Sequence, residues 1–429
     1  MRCTGCDGWA VSGGAEHDVV DKLRAEKSGS RGAILSLAFA HCCSDLAQSS
    51  VAALLPFLVV LRGYSLSAVG AFVLAASIGG SVLQPVFGAH GDRTGARWLM
   101  PVGLIVGGSG VGLLGFIDSY PLALVAVACG SMGVAAFHPE GARWARSAAG
   151  SNVASGMGVF SVGGSVGFAL GPPLVAAVVV PFGLRGTLLL ELIPLAAAAV
   201  VLVSTRHLRP PELQVREAEQ AELAAADHLA RRDEWGPFSR LVLLYGIQSA
   251  VLTGLFAFVP LLLVSLRGVS PGASNVTSTV LLAAAALGTL LGGRAADRYG
   301  RRVVLVLPMV VLAPAIALVP HLGYVALMPL MVLIGLAVDA NLSTAIVMAQ
   351  EYLASRIGLA AGVLVGASVG FGGLAGLLLG MLGDAAGTTA VIYTVAVLPL
   401  LAAALAFTLP RPLACPMNAA WSLRAATGR

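Results

Sequence analysis

The amino-acid sequence predicts an all-α polytopic membrane protein, with twelve transmembrane helices in two parallel, pseudo-repeated six-helix bundles. Three observations predict it. The composition is 57% hydrophobic and 11% charged, with a mean hydropathy of +0.89, whereas charged residues make up about a quarter of a soluble domain. The apolar residues fall in separate runs of roughly 18 to 28, long enough for a helix to cross a hydrocarbon core of about 30 Å and unlike the alternation of barrel strands. The chain also repeats itself. "ALLPFLVVLRGYS" returns as "AFVPLLLVSLRGVS", "GAHGDRTGAR" as "GRAADRYGRR" and "SVGF" as "SVGF", which sets Pro56 against Pro260, Asp92 against Asp297 and Ser165 against Ser368 at offsets of 204, 205 and 203 residues. One register for three matches means two halves in the same orientation.

In chain order, residues 1–32 are polar and Gly/Ser-containing, without an apolar core or small-residue cleavage site. They read as a disordered cytoplasmic tail and not as a signal peptide. Spans are expected at about 33–61, 67–88, 98–117, 121–145, 154–180 and 187–204, forming a first bundle over 33–204. The charged interval 205–238 reads as an inside linker whose Glu and Ala content suits a short solvated helix. Six more spans follow at about 239–264, 276–293, 302–319, 322–350, 358–382 and 388–409, forming a second bundle over 239–409, with 410–429 as a cytoplasmic tail.

Basic residues set the orientation. With a cytoplasmic N-terminus, only Arg62, Arg185 and Arg267 of the 26 Lys+Arg fall in outside loops, so the positive-inside rule places both termini in the cytoplasm, and the inner membrane is the expected location. The net charge of +5 is then a signature of topology. No basic stripe interleaved with aromatics points to nucleic acid, and no G-x-x-x-x-G-K-[ST] points to an ATP-driven pump or another enzyme. Parallel halves around a central cavity are a secondary-transporter plan. The partners expected are a small-molecule substrate and the lipid bilayer, around a monomer, with the proton gradient as energy source and no cofactor.

"GAHGDRTGAR" resembles the signature loop of the major facilitator superfamily through Gly88, Asp92, Arg93, Gly95 and Arg97, with Ala96 at a usual arginine position. Its copy matches through Gly293, Asp297, Arg298, Gly300, Arg301 and Arg302. "GGSVGFALGPP" resembles the fifth-helix glycine and Gly-Pro pattern associated with antiporters of that superfamily. Physically, Asp92, Arg93, Arg97, Asp297, Arg298 and Arg301 are gating candidates. Charges at a helix mouth can pair across halves or with a helix end, each contact worth roughly 0.3 to 1 kcal/mol. Gly163, Gly167 and Gly171, four apart, share one face that allows close helix packing, and Pro172 and Pro173 remove backbone hydrogen bonds there.

Ionisable groups inside spans are costly and mark functional sites. The acids are Asp45, Glu140, Glu191, Asp339 and Glu351, with Asp384 near an outside end. His41, Asp45 and Gln48 share a face of the first helix, and Glu140 and Arg143 are neighbours on the fourth. A rise of 1.5 Å per residue puts Asp45 roughly 18 Å from the start of its helix and Glu140 within roughly 10 Å of the end of its own. Contact of His41 with His138, Glu140 or Arg143 is therefore expected, and contact of Asp45 with Glu140 is not. The repeat maps His41 to Tyr245, Asp45 to Ser249, His138 to Leu342, Glu140 to Thr344 and Arg143 to Val347. The charged cluster exists in one half only, which favours function over packing.

"AFHPEGARWAR" and "HCCSDLAQSSVAALLP" resemble the fosmidomycin resistance branch of the superfamily, through Phe137, His138, Pro139, Glu140, Arg143, His41 and Asp45, with Ser44 where that branch often has Asn. The resemblance implies proton-driven efflux of a small drug such as a phosphonate. In that reading Asp45, Glu140, His41 and His138 are proton-coupling candidates. Arg143, Gln48, Tyr245, Asp339 and Asn341 are substrate-binding candidates, with Arg143 suited to bidentate contact with an anion. Import of an anionic nutrient, by symport or uniport, and a non-transporting scaffold or sensor using the linker remain open alternatives. Cys3 and Cys6 form a lone C-x-x-C without a second pair, so no metal site is expected. Cys42, Cys43 and Cys129 read as small packing residues, and Trp98, Trp144 and Trp235 as an aromatic belt.

Overall fold

A computed structural model describes residues 30–94, 96–150, 153–206, 233–353 and 356–410 of the chain. Residues 1–29 and 411–429 of the expected tails, residues 207–232 of the linker and the Cys3/Cys6 pair lie outside the described residues. Among those described, the chain forms helices and connecting turns only. In order they are α1 (Arg31–Arg62), α2 (Leu66–Ile78), α3 (Gln84–Thr94), α4 (Leu99–Gly112), α5 (Tyr120–Ala148), α6 (Val153–Phe182) and α7 (Thr187–Ser204). There follow α8 (Trp235–Arg267), α9 (Pro271–Tyr299), α10 (Arg301–Leu318), α11 (Tyr324–Val338), α12 (Leu342–Tyr352) and α13 (Ile357–Thr408).

These helices make twelve crossings. A π-helical turn, Gly79–Leu83, joins α2 to α3 as one span, at the point where Gly79 meets the backbone of Ser131 too closely for a side chain. Residues Asp339–Asn341 break the tenth span into α11 and α12. The 52 residues of α13 would be about 78 Å long as one helix, more than twice the hydrocarbon core. Gly387, with φ 82° and ψ 164°, divides them into two crossings.

Several boundaries differ from the sequence expectation. The seventh and eighth spans start at Trp235 and Pro271, not 239 and 276, and α9 carries Arg294, Asp297 and Arg298 within its last turns before ending at Tyr299. Hydropathy marks the stretch that suits hydrocarbon, whereas a helix continues into the headgroup layer as long as its backbone bonds are made. The tenth span, expected over 322–350 as one run, is interrupted at Asp339–Asn341.

Capping is local and visible. Ser30, Ser65 and Ser270 accept from Ala33, Ala68 and Ala273 N–H groups at 3.3, 3.1 and 3.3 Å, starting α1, α2 and α9. Gly63 and Gly268, both with positive φ, close α1 and α8, as left-handed C-caps do.

One end of the bundle, here the loop face, carries the turns after Arg62, Phe182, Arg267 and Leu318 together with Gly387; the other is the terminal face. Ties between the halves sit towards the loop face. Asp384 of α13 accepts from the Leu66 and Ser67 N–H groups at 2.7 and 2.8 Å. Asn275 of α9 donates to the Ala53 and Pro172 carbonyls at 3.0 and 3.4 Å. Glycines 70, 373 and 380 let α2 and α13 meet backbone to backbone or backbone to side chain. Towards the terminal face α6 turns a wide surface outward: Gly158, Val159, Ser161, Val162, Ser165 and Val166 are exposed, against only Leu170, Ala177 and Val180 in most of its loop-side half. Among the described residues, the hydrogen bonds named here between the halves thus lie towards the loop face.

Candidate functional site

The site is built where α1, α5 and α6 meet. Gly163 and Gly167 rest on the α1 backbone at Ala38 and Cys42, and Gly171 on the Ser49 side chain, so the small-residue face brings α6 against α1 as its spacing predicts. Gly164, one position round, brings the α6 backbone up to the Asp45 carboxylate and the His41 ring.

His138 Nδ1 donates to the Val134 carbonyl at 2.8 Å, and its Nε2 lies 2.9 Å from Asp45 Oδ1. His41 Nδ1 donates to the Phe160 carbonyl at 2.8 Å, its ring stacks on Phe160 at 4.2 Å, and its Nε2 lies 3.4 Å from Asp45 Oδ2. The two imidazoles meet edge to face at 5.1 Å. A carbonyl only accepts, so each Nδ1 is the protonated nitrogen and each Nε2 is turned to the carboxylate. An Nε2 lone pair facing a carboxylate lone pair at 2.9 Å would repel. The Asp45–His138 contact therefore requires one proton between them, on the imidazole or on the carboxyl. Asp45 is buried and both histidines are partly exposed.

Two residues after His138 towards the terminal face, Glu140 is buried, accepts from Trp144 Nε1 at 2.9 Å and pairs with the Arg143 guanidinium. Trp144 is 2% exposed, which corrects its place in the aromatic belt: it lies inward as a donor to Glu140, while Trp98 and Trp235 are the exposed ones. Arg97 lies over the Trp144 ring, 5.2 Å from its centroid, and donates to Thr205 Oγ1. Cys43 is buried and Cys42 partly so, but Cys129 is exposed and does not pack as expected.

Of the expected contacts, His41 does meet His138, and Asp45 and Glu140 sit in separate clusters. The direct Asp45–His138 bond was not foreseen, because heights along two helices say nothing of which faces oppose. Gln48, a turn beyond Asp45, borders a small apolar gap with Val51, Gly107, Gly130 and Val134. In the other half Tyr245 and Asn341 are buried and Asp339 partly exposed. The gating candidates found here are engaged within their own halves: Arg97 with Thr205, Arg301 with Glu351, and Arg298 over Tyr299. Asp297 is exposed, and the side chains of Asp92 and Arg93 lie outside the described residues. Sequence reasoning missed Phe160, Gln248, Asn275, Thr344 and the role of Asp384. Only Asp384 carried a signal, as an acid near a span end.

A family model described as Major Facilitator Superfamily matches residues 37–282 and 241–417. The chain is 29% identical over 373 residues to the fosmidomycin resistance protein of Escherichia coli (strain K12), covering 86% of this chain and 91% of that one. It is also 29% identical over 382 residues to the uncharacterized MFS-type transporter YfnC of Bacillus subtilis (strain 168), covering 88% and 92%. Among solved structures, a bacterial homolog of the human lysosomal transporter Spinster, inward-facing and occupied, superposes with a TM-score of 0.74 at 15% identity, over 88% of this chain and 96% of that one. The nucleoside transporter NupG gives 0.67 at 16%, over 89% and 99%. Two parallel six-helix halves, the repeated loop and the match of the family model along nearly the whole of both halves lead to one conclusion: the chain belongs to the Major Facilitator Superfamily.

Proposed function

We propose that this protein is a proton-coupled efflux antiporter for a small anionic drug, fosmidomycin or a related phosphonate. In this reading it is a monomer in the inner membrane with both termini, and hence the terminal face, in the cytoplasm. Residues 33–204 and 239–409 act as the two moving bodies, joined by a cytoplasmic linker over 205–238. The observation that carries the proposal is the Asp45–His138 contact at 2.9 Å, with both histidine Nδ1 atoms committed to backbone carbonyls. The likeness to the fosmidomycin resistance protein supports the substrate class.

The geometry suits an exchange cycle. With the cleft open to the cytoplasm, the Asp45–His138 pair holds a proton and Glu140 holds Arg143. Loss of that proton to cytoplasmic water leaves two lone pairs opposed and loosens α1 from α5. The drug's phosphonate then takes the Arg143 guanidinium from Glu140 in bidentate contact. After the halves rock, a proton entering from outside restores the Asp45–His138 bond as the drug departs, with His41 as the second imidazole available to relay it. Proton and drug thus occupy opposite states of one machine.

The test uses inside-out membrane vesicles with an acidified lumen reported by a quenched acridine dye. Addition of fosmidomycin should restore fluorescence in vesicles containing this protein and not in control vesicles. An unchanged signal, with the protein present and the gradient intact, removes fosmidomycin and returns the substrate to a panel of organic anions.

A further inference from the structure

The break in the tenth span holds polar groups that the exchange cycle does not use. The C-terminal end of α11 presents carbonyls without intrahelical partners, as every helix end does, and carries the negative end of the helix dipole. Gln248 of α8 reaches in and donates to the Val338 carbonyl. The Asp339 carbonyl accepts from Thr289 Oγ1 and from Leu342 N, each at 3.2 Å. Asn341 stands at the N-cap of α12, where an asparagine usually accepts from the next turn, yet its side chain makes no cap bond.

Four side-chain atoms around this break are buried and without a hydrogen-bond partner among the described residues: Asn341 Oδ1 and Nδ2, Gln248 Oε1 and Thr344 Oγ1. Their residues are 0%, 1% and 4% exposed respectively. An orphaned buried acceptor carries a desolvation penalty, so three unpartnered oxygens on residues that flank one helix break, with Gln248 tied to it through the Val338 carbonyl, point to a ligand. Asp339 completes the set. No described residue donates a hydrogen bond to its carboxylate or pairs with it as a cation.

We propose that this break is a sodium site, with Asp339, Asn341, Gln248 and Thr344 supplying oxygen ligands. The available acceptors are carboxylate, amide and hydroxyl oxygens, which suit a hard cation and not a transition metal. A single carboxylate matches a single positive charge, whereas a divalent ion would leave net charge inside the membrane, where it is costly. The repeat separates this site from the proton site. By the 204-residue offset, Gln248, Asp339, Asn341 and Thr344 stand where the first half has Ser44, Ala135, Phe137 and Glu140, and Tyr245 stands where it has His41. The first half answers its buried acid with imidazoles, which bind protons. The second half sets its own, partly exposed acid beside buried oxygens, which bind a metal cation. This assignment does not rest on the drug or on proton exchange.

The experiment is thermal unfolding of the purified full chain in detergent without drug, at constant ionic strength, with sodium chloride replaced stepwise by choline chloride or potassium chloride. Sodium should raise the unfolding midpoint along a saturating curve, as a ligand of the native state does, with a much smaller effect from potassium and none from choline. Asp339→Asn should abolish the rise and Thr344→Val should move it to higher sodium, while Asp45→Asn should leave it unchanged. Direct binding of radioactive sodium by scintillation proximity gives the same comparison for any variant too unstable to melt cleanly. Identical midpoints in sodium and choline, or a full sodium response in Asp339→Asn, overturns the site. A failed vesicle exchange with an intact sodium curve removes the efflux reading alone.

Discussion

Tyr120 donates to the Ala68 carbonyl at 3.2 Å in the first half, and Tyr324 donates to the Ala273 carbonyl at 2.8 Å in the second. Ser65 and Ser270 start the following helices in the same way. Arg62 holds the carbonyls of Leu114 and Ile117, as Arg267 holds that of Pro320. Gly183 and Gly387 take positive φ at matching turns. The interiors diverge: His41, Asp45 and Glu140 face Tyr245, Ser249 and Thr344 across the repeat. The shared devices finish helix ends, and a chain in lipid must satisfy backbone groups in both copies. Nothing in folding requires the charges, so one copy keeps them and the other does not. Scaffold and chemistry have separated along the duplication.

The largest expected effect tests that separation at its centre. Asp45→Asn removes the shared proton and keeps the shape, so drug-driven proton exchange should fall to the level of control vesicles while the protein still inserts and melts cooperatively. Ser249→Asn, the same residue type placed at the matching position, should leave exchange near the unaltered rate. Exchange surviving in Asp45→Asn would move the proton to Glu140.

Next in size is a steric comparison. A leucine at Gly167 meets the α1 backbone at Cys42 and cannot be accommodated by a rotamer change, so Gly167→Leu should destabilise by about 1 to 3 kcal/mol or more. Its counterpart Gly370 faces only the Ser81 side chain, which lies 3.3 Å from where a Cβ would stand, across the seam between halves. Gly370→Leu should therefore alter the balance of open and closed states more than the melting temperature, read as a change in cysteine accessibility at the loop face.

How much of this was legible in the sequence follows from the same physics. Apolar runs and the repeat give the twelve crossings because lipid leaves the backbone little choice but helix. His41, Asp45, His138 and Glu140 stand out because ionisable residues are rare in spans. Their pairing was not legible, since Asp45 and His138 lie 93 positions apart and helix height does not set helix rotation. Trp144 sits near a span end and so reads as belt, although its indole serves Glu140. The interruption at Asp339–Asn341 is hidden by the apolar residues on either side. Asp384 reads as an acid near an end because its partners are backbone N–H groups, which leave no trace in a residue pattern.

That contact gives a smaller prediction. Asp384→Asn keeps an acceptor but removes the charge facing the N-terminus of α2, where an anion is worth roughly 0.3 to 1 kcal/mol. Labelling of a cysteine placed at Ser67 should become faster by about the two- to fivefold that this energy implies. The matching position in the first half, three residues before Gly183, is Val180, which has no carboxylate, so Val180→Ala should leave loop-face accessibility unchanged if the charged tie is peculiar to the α2–α13 seam.

The smallest effect is the most diagnostic of duplication. Tyr120→Phe and Tyr324→Phe each remove one hydroxyl donor to a carbonyl at the start of a neighbouring helix, and each should destabilise by about 0.5 to 1.5 kcal/mol. The two values should agree, because the donor, the acceptor and the helix end are the same in both halves. They should also add in the double variant, since the sites belong to different halves and share no partner. Unequal values would place part of the energy in the aromatic surroundings, for Tyr120 packs edge-on against both Tyr64 and Phe72 at 5.3 and 5.6 Å, whereas the counterparts of those rings, Val269 and Thr277, are not aromatic. The size of that inequality would measure how far the halves have diverged even in the part of the scaffold that still looks duplicated.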